Sequence, residues 1–415
     1  MLRNFGSIIA VSLILFMSAC SNKDEDPVIE PENKIVDLSK DEMANCYIVT
    51  SPGVYKFKAD NQFNLGPGLP EPAPIHPVDA SLVWQTSPGL ITSVELNEED
   101  GNAYIEFEVS QARGNALLAA LDEDGNIEWS WHIWMPEKEI QGVKSDMGYY
   151  IMNMNLGAMN NNPGDIGSYG MLYQWGRKDP LPTSPTLTGD MTTVGAPLYD
   201  MEGNPVAITN SSWYDNECNT IEYSIAHPTV CLSNYSQYSK TRDWLSSPDD
   251  TLWGNPFGDV RNEFGMYSYK GEKTCYDPSP AGWKVAPADA FYNFTSTGGY
   301  AWNFDDFRIE DTNGDGEVNL DDYNYGWNFK VSNNDALFFP AAARYDGSYA
   351  MLMGSVSGIW GNYWTNAPYI GIAGGAFCGL SFQVAGQNGE EWISVSPAAG
   401  ASRADAYSVR CVRDK

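Results

Sequence analysis

Beyond residue 38, apolar and polar positions alternate with a period of two. Ile105, Phe107 and Val109 interleave with Glu106, Glu108 and Ser110, as in a strand with one face buried and the other in water. The runs CYIVT (46–50) and VYKFK (54–58) flank Ser51-Pro52-Gly53, a turn signal. EEDGN (98–102) and DEDGN (122–126) each set Asp-Gly ahead of an alternating run, which predicts two hairpins. Strands at this spacing predict a β-sandwich over residues 39–135. In IEWSWHIW (127–134), Ile127, Trp129, Trp131 and Ile133 share one face, and Glu128, Ser130, His132 and Trp134 the other. One face is assigned to the sandwich core and the other to packing on the next domain, in preference to an aromatic platform for a sugar.

After Met135-Pro136 the alternation fades and Asn, Gly, Tyr and Met take over. Residues 149–182 show no helical periodicity beyond a turn or two around 170–175, and 183–272 read as polar loop with scattered aromatics. Long irregular segments of this kind count against regular architecture or mark a surface used for binding. Two stretches read as anchors for the segment between them: KTCYDPSPAGWKVA (273–286) and the closing YSVRCVRDK (407–415). In the first, two prolines fix φ and a glycine turns the chain back into extended structure at Trp283 and Val285. The alternating SVRCV is expected to run as a strand that closes the domain.

Composition narrows the class. The 415 residues are 43% hydrophobic and 19% charged, with 39 Gly and 25 Pro, as in a packed, strand-rich chain. Asp and Glu outnumber Lys and Arg by 54 to 24, and a net charge of −30 repels nucleic acid and anionic membranes. The N-terminus adds an address: a basic start at Arg3, an apolar run from Ile8 to Met17, then MSAC ending at Cys20. This resembles a bacterial lipoprotein signal over residues 1–19, with cleavage before Cys20 and acylation of its thiol; an ordinary secretory signal is the other reading. Ser21-Asn22-Lys23-Asp24-Glu25-Asp26 resembles the export tag of Bacteroidetes lipoproteins displayed outside the outer membrane. Residues 20–38 are expected to be a flexible acidic linker, and the lipid the only membrane attachment.

Seven motifs then follow in order: WSWHIW, MNMNLGA, LYQWGRKDP, YDPSPAGWKV, LFFPAAARYDG, GNYWTN and SVRCVRD. Their order resembles the Fibrobacter succinogenes major paralogous domain, over roughly residues 127–415. That resemblance implies a C-type lectin-like α+β domain over 136–415, with long irregular loops and its terminal strands brought together. It also implies a place among surface lipoproteins and fimbria-associated proteins of gut Bacteroidetes. This chain has Ser279 where members often carry cysteine, so the family's disulfide is not transferred. Cys46, Cys218, Cys231, Cys275, Cys378 and Cys411 remain after Cys20, an even count that favours disulfides in an exported chain. Cys218 with Cys231, and Cys275 with Cys411, are the candidate pairs.

Candidate chemistry is concentrated in one loop. Asp311, Asn313, Asp315, the Glu317 carbonyl, Asn319 and Asp322 fall at positions 1, 3, 5, 7, 9 and 12 of a calcium loop, with Gly316 at the bend. It resembles a dockerin-type loop in a single copy, and a structural Ca2+ bracing an insertion near 305–330 is expected. Catalytic motifs are absent: His76, His132 and His227 have no partner at metal-binding spacing, and no G-x-S-x-G, H-E-x-x-H or P-loop occurs. Aromatic clusters at 291–302, 323–327 and 360–369 are candidates for stacking on a ligand that the sequence leaves unidentified. The expected function is a lipid-anchored, non-enzymatic binding or adhesion module at the outer-membrane surface, for glycan or host or bacterial surface protein. A fimbrial accessory or tip subunit and an enzyme on a formylglycine-generating-like fold are the alternatives.

Overall fold

The two Asp-Gly sites turn the chain as expected. Asp100 and Gly101 both adopt positive φ, 51° and 77°, and join strands Ile91–Glu99 and Asn102–Val109 in an antiparallel hairpin. At the second, Gly125 (φ 80°) closes the hairpin of Gly114–Leu121 with Ile127–Met135. The Asp122 carboxylate accepts the Asp124 and Asn126 amides there.

The computed structural model describes residues 35–63, 69–211, 215–234, 242–254, 260–261, 267–268, 271–369, 375–387 and 390–414. The expected leader, Cys20 and the linker as far as Lys34 lie outside these residues. Residues 35–415 group as one compact unit. It is β-rich, 39% strand and 6% helix, and built from several sheets. Val36–Asp37, within the stretch read as linker, already pairs in parallel with Tyr55 and Lys56. No helix among the described residues is long and apolar enough to cross a membrane.

Two sheets hold the first hundred residues. A four-stranded sheet runs Val36–Asp37, Gly53–Lys58, Asn102–Val109, Ile91–Glu99. A six-stranded sheet runs Pro205–Val206, Leu198–Tyr199, Asp79–Gln85, Gly114–Leu121, Ile127–Met135, Cys46–Ile48. The turn at Ser51-Pro52-Gly53 therefore carries the chain from one sheet to the other. Phe57 bridges them, 4.9 Å from the Tyr47 ring and 5.1 Å from Trp131. The six-stranded sheet borrows the two strands at one edge from residues 198–206, and one hydrophobic core runs from Ala44 to Cys411. That core includes residues on both sides of 135/136.

The anchors meet directly. Trp283–Val285 pairs antiparallel with Cys411–Arg413, with Lys284 opposite Val412, and Val412 pairs in turn with Ile151. Arg410, fully buried, ties this junction together: its guanidinium donates to Asn155 Oδ1 at 2.7 and 2.9 Å, Met152 O at 3.2 Å and Phe338 O at 2.7 Å. It also lies 4.1 Å over the Phe339 ring.

A nine-stranded sheet forms the rest of the frame. Its main path is Leu181–Pro182, Met171–Gln174, Ala406–Val409, Trp360–Pro368, Gly375–Gln387, Glu390–Ser396. Residues 171–174, expected to make a helical turn, form an interior strand there. All four are buried, so the two-residue alternation that announces a half-exposed strand is missing. Beneath it lies a second core of Phe291, Phe294, Phe329, Phe339, Tyr363 and Phe382. The one α-helix among the described residues, Ile221–Ala226, is capped by Thr220.

The expected disulfides are a correction: all six cysteines carry free thiols. Cys275 Sγ donates to Pro70 O and Cys411 Sγ to Ser279 Oγ, each at 3.2 Å, so the two point at different neighbours. Cys231 sits in a short parallel strand pair with Asn210, and Cys218 stands before the helix beside Tyr223.

Candidate ligand-binding face

Most residues that stand out in the sequence are internal ties. Trp129, Trp131 and Trp134 are all buried. Ser130, His132 and Trp134 pack on the segment that follows, through Asp179 (2.6 Å), Tyr173 (3.3 Å) and Ala158 O (2.8 Å), and His132 also bonds Asn115 on the neighbouring strand at 2.8 Å. Burial pushes His132 down to about 3, so its imidazole is neutral and structural. His227 stacks on Tyr223 at 3.9 Å, and the His76 amide donates to the Glu128 carboxylate. In LYQWGRKDP, Arg177 donates to Ser224 O (3.3 Å) and His227 O (3.4 Å) at the helix end and to Val230 O (2.7 Å) in the strand beyond it. Lys178 pairs with Asp179 at 2.7 Å, both nearly sealed from water, 4.8 Å over the Trp129 ring. In YDPSPAGWKV, Asp277 accepts from the Ser279 and Val285 amides and shapes the turn.

The 311–322 loop is folded around its own carboxylates. Gly314 (φ 73°) and Gly316 (φ 93°) make the bend, and their amides donate to the two Asp311 oxygens at 2.7 and 2.8 Å. Asp322, at the other end, accepts from the Thr312, Asn313 and Asn319 amides and the Thr312 hydroxyl. Burial raises its pKa, but these hydrogen bonds outweigh it and hold the carboxyl below its ordinary value. Asp315 Oδ1 accepts the Glu317 amide, Asn313 Oδ1 the Asp315 amide and Asn319 Oδ1 the Asp321 amide. Val318, Leu320 and Tyr323 fasten the loop to the phenylalanine core. Three carboxylates, two amide oxygens and a carbonyl are an all-oxygen donor set, which suits a hard cation. Among the described residues no group of three or more His, Cys, Asp or Glu is gathered closely enough to hold a metal as the side chains stand.

The exposed aromatics lie elsewhere. Ala301 and Val395 form an antiparallel bridge, with reciprocal N–H···O bonds of 2.9 and 3.0 Å, and both point into the phenylalanine core. Their neighbours must therefore point out. Tyr300 and Trp302 are 55% and 70% exposed, in T-shaped contact at 4.7 Å. On strand Glu390–Ser396, Trp392 (65% exposed) and Ser394 alternate with Ile393 and Val395, which pack inward. Register continues this outer face across the sheet: Ser394 lies opposite Gln383, and Gln383 opposite Trp360. The adjoining row is Ser396, Ser381 and Asn362, where the Ser381 hydroxyl donates to Asn362 Oδ1 at 3.1 Å. Gly361 makes the close strand packing possible, because any Cβ there would enter the Phe382 ring. Arg344 lies 5.1 Å over Trp360, its charge shared with Asp346 and Asp405.

Of the three aromatic clusters named from sequence, only part is available to a ligand. Phe291, Phe294, Trp327, Tyr363 and Trp364 are buried, and Tyr323 packs on Trp327 at 4.7 Å. Trp392 was missed, although WISVS carries the signal: Trp392, Ser394 and Ser396 alternate with Ile393 and Val395. A separate groove of about 670 Å³ is walled by Pro182, Pro185, Val194, Pro197, Ile208 and Met351 and offers few polar groups. Comparison of the chain with protein-family models, curated proteins and solved structures returned no match in any of the three.

Proposed function

We propose that this protein is a non-enzymatic binding module, taking its ligand on the outer face built from Tyr300, Trp302, Trp392, Ser394, Gln383 and Trp360. The observation that carries this reading is the exposure of Tyr300, Trp302 and Trp392 on one face, where large aromatics leave water on burial against a ligand. The fold reading that accompanies it has a β-sandwich over the first hundred residues and a C-type lectin-like domain after it, of the Fibrobacter succinogenes major paralogous kind. The meeting of 283–285 with 411–413 supports this, since the resemblance calls for terminal strands side by side. Acylation at Cys20 would hold the module at the outer-membrane surface, and Ca2+ in the 311–322 loop would act as a brace. In that role Asp311, Asn313, Asp315, Asn319, Asp322 and the Glu317 carbonyl would supply the oxygens.

The test compares wild type with Trp302→Ala/Trp392→Ala on a glycan array and on outer-membrane protein extracts. Both tryptophans are solvent-facing, so the variant should keep its Tm. A ligand retained by wild type and lost by the double variant is expected. Binding that survives both substitutions refutes the assignment to this face, and no binding to either source refutes the module.

A further inference from the structure

Resting on that reading, we propose that the ligand is a neutral polysaccharide of equatorially linked pyranoses, laid across the strands along the row Trp302, Ser394, Gln383, Trp360. Register sets the length of the row. Ala301 bridges Val395, Ser394 pairs with Gln383, and Gln383 with Trp360, so the row crosses three strand-to-strand gaps. Gaps of about 4.8 Å make it about 14 Å long, room for roughly three sugar rings.

The order of residue types fits such a chain. An equatorially substituted pyranose has flat faces of axial C–H groups, which stack on indole, and a rim of hydroxyls. The row has an exposed indole at the Trp302 end and the half-buried Trp360, with Arg344 over one side of its ring, at the other, with a hydroxyl and a carboxamide between them to donate to and accept from that rim. Tyr300 and Trp392 widen the platform on either side of the Trp302 end.

Charge decides between neutral and acidic glycans. No residue of the row is ionisable, and Arg344 beside it is already matched by Asp346 and Asp405. With no unmatched cation in this row among the described residues and a chain charge of −30, a uronate or sulfated polymer would be repelled. A protein partner is less well matched, because interface hot spots seat an anchor in a desolvated pocket, and this face is an open sheet.

Affinity electrophoresis and pull-down of the full chain would use cellulose, chitin, mannan and xylan as neutral probes, with polygalacturonate and alginate as acidic ones. At least one neutral polymer should be retained and neither acidic one. Trp302→Ala should weaken Kd at least tenfold, Trp302→Phe less, and Gln383→Ala a few-fold, all with unchanged Tm. Retention of the acidic polymers instead, or of no polysaccharide, overturns the inference. If no polysaccharide is retained but a protein ligand is lost in Trp302→Ala, the binding-module reading stands without it. Neutral-polymer binding indifferent to Trp302→Ala and Trp392→Ala overturns both.

Discussion

Replacing Gly361 with alanine should cost far more than one methyl group ordinarily does. The new Cβ would sit 2.1 Å from Phe382 Cζ, with two further ring atoms at 2.3 and 2.8 Å. Phe382 lies directly across the strand pair and is only 1% exposed. Phe329 and Tyr363 hold its ring at 5.7 and 6.4 Å, so it cannot turn out to solvent. Either the ring leaves its rotamer or the two strands part, and overpacking of this kind costs about 1–3 kcal/mol. With three contacts inside hard-sphere distance we expect the upper end, about 3 kcal/mol. Urea unfolding followed by tryptophan fluorescence would measure it. Phe382→Leu supplies the control, since a shorter side chain makes room for the methyl. The double variant should lose at least about 1 kcal/mol less than the two single losses added together. A wild-type midpoint for Gly361→Ala, or strict additivity in the cycle, refutes the steric argument.

The other predictions concern buried charge and the cation loop. His132 is held neutral down to about 3, whereas in the unfolded chain it titrates near 6.5. Between these values the unfolded state binds a proton that the native state refuses, so stability falls as pH drops from about 6.5 towards 3. His132→Gln should therefore lose less stability than wild type between pH 7 and 4. Asp243, raised to about 6 by burial despite Arg403, acts oppositely, giving stability at low pH that is lost as pH rises through 6. It is common to both proteins and cancels in the comparison, and equal pH profiles would contradict the role given to His132. Lys178→Met leaves Asp179 buried without its cation and should cost about 3–5 kcal/mol in urea unfolding, part of it recovered by adding Asp179→Asn. No difference between the single and double variants would count against the buried pair. For the loop, Ca2+ added to EDTA-stripped protein should raise Tm, and Asp311→Ala should abolish the rise. An unchanged wild-type Tm removes the brace.

How much of the fold is legible in the sequence depends on how local each cause is. Asp100-Gly101 announces its hairpin because only a few residue types accept two successive positive φ values. The anchors were found because Pro, Gly and an alternating run are local signals, and their pairing follows. Met171–Gln174 was misjudged because neighbours cover both its faces, which erases alternation. The Arg410–Asn155 bond spans 255 residues and leaves no mark beyond two recognisable motifs. The thiols were expected to pair on their even count, the closeness of Cys218 to Cys231 and the places of Cys275 and Cys411 in the two anchors, but pairing needs Cβ positions that only the packed chain provides.

The sequence by itself determined the β-rich class, the turns and the oxygen-rich loop at 311–322, each written in residues a few positions apart. Tertiary structure decided which aromatics face water. Trp302 is 70% exposed and Trp364 is buried, though both lie in segments of like composition. The difference is that Trp364 packs into the core that also holds Trp131 and Tyr407, stacked 4.4 Å from the Tyr407 ring and covered by distant parts of the chain, whereas Trp302 flanks one small residue, Ala301, that takes the inward place. Burial is set by what the rest of the chain lays over a side chain, and that is fixed only when the sheets close.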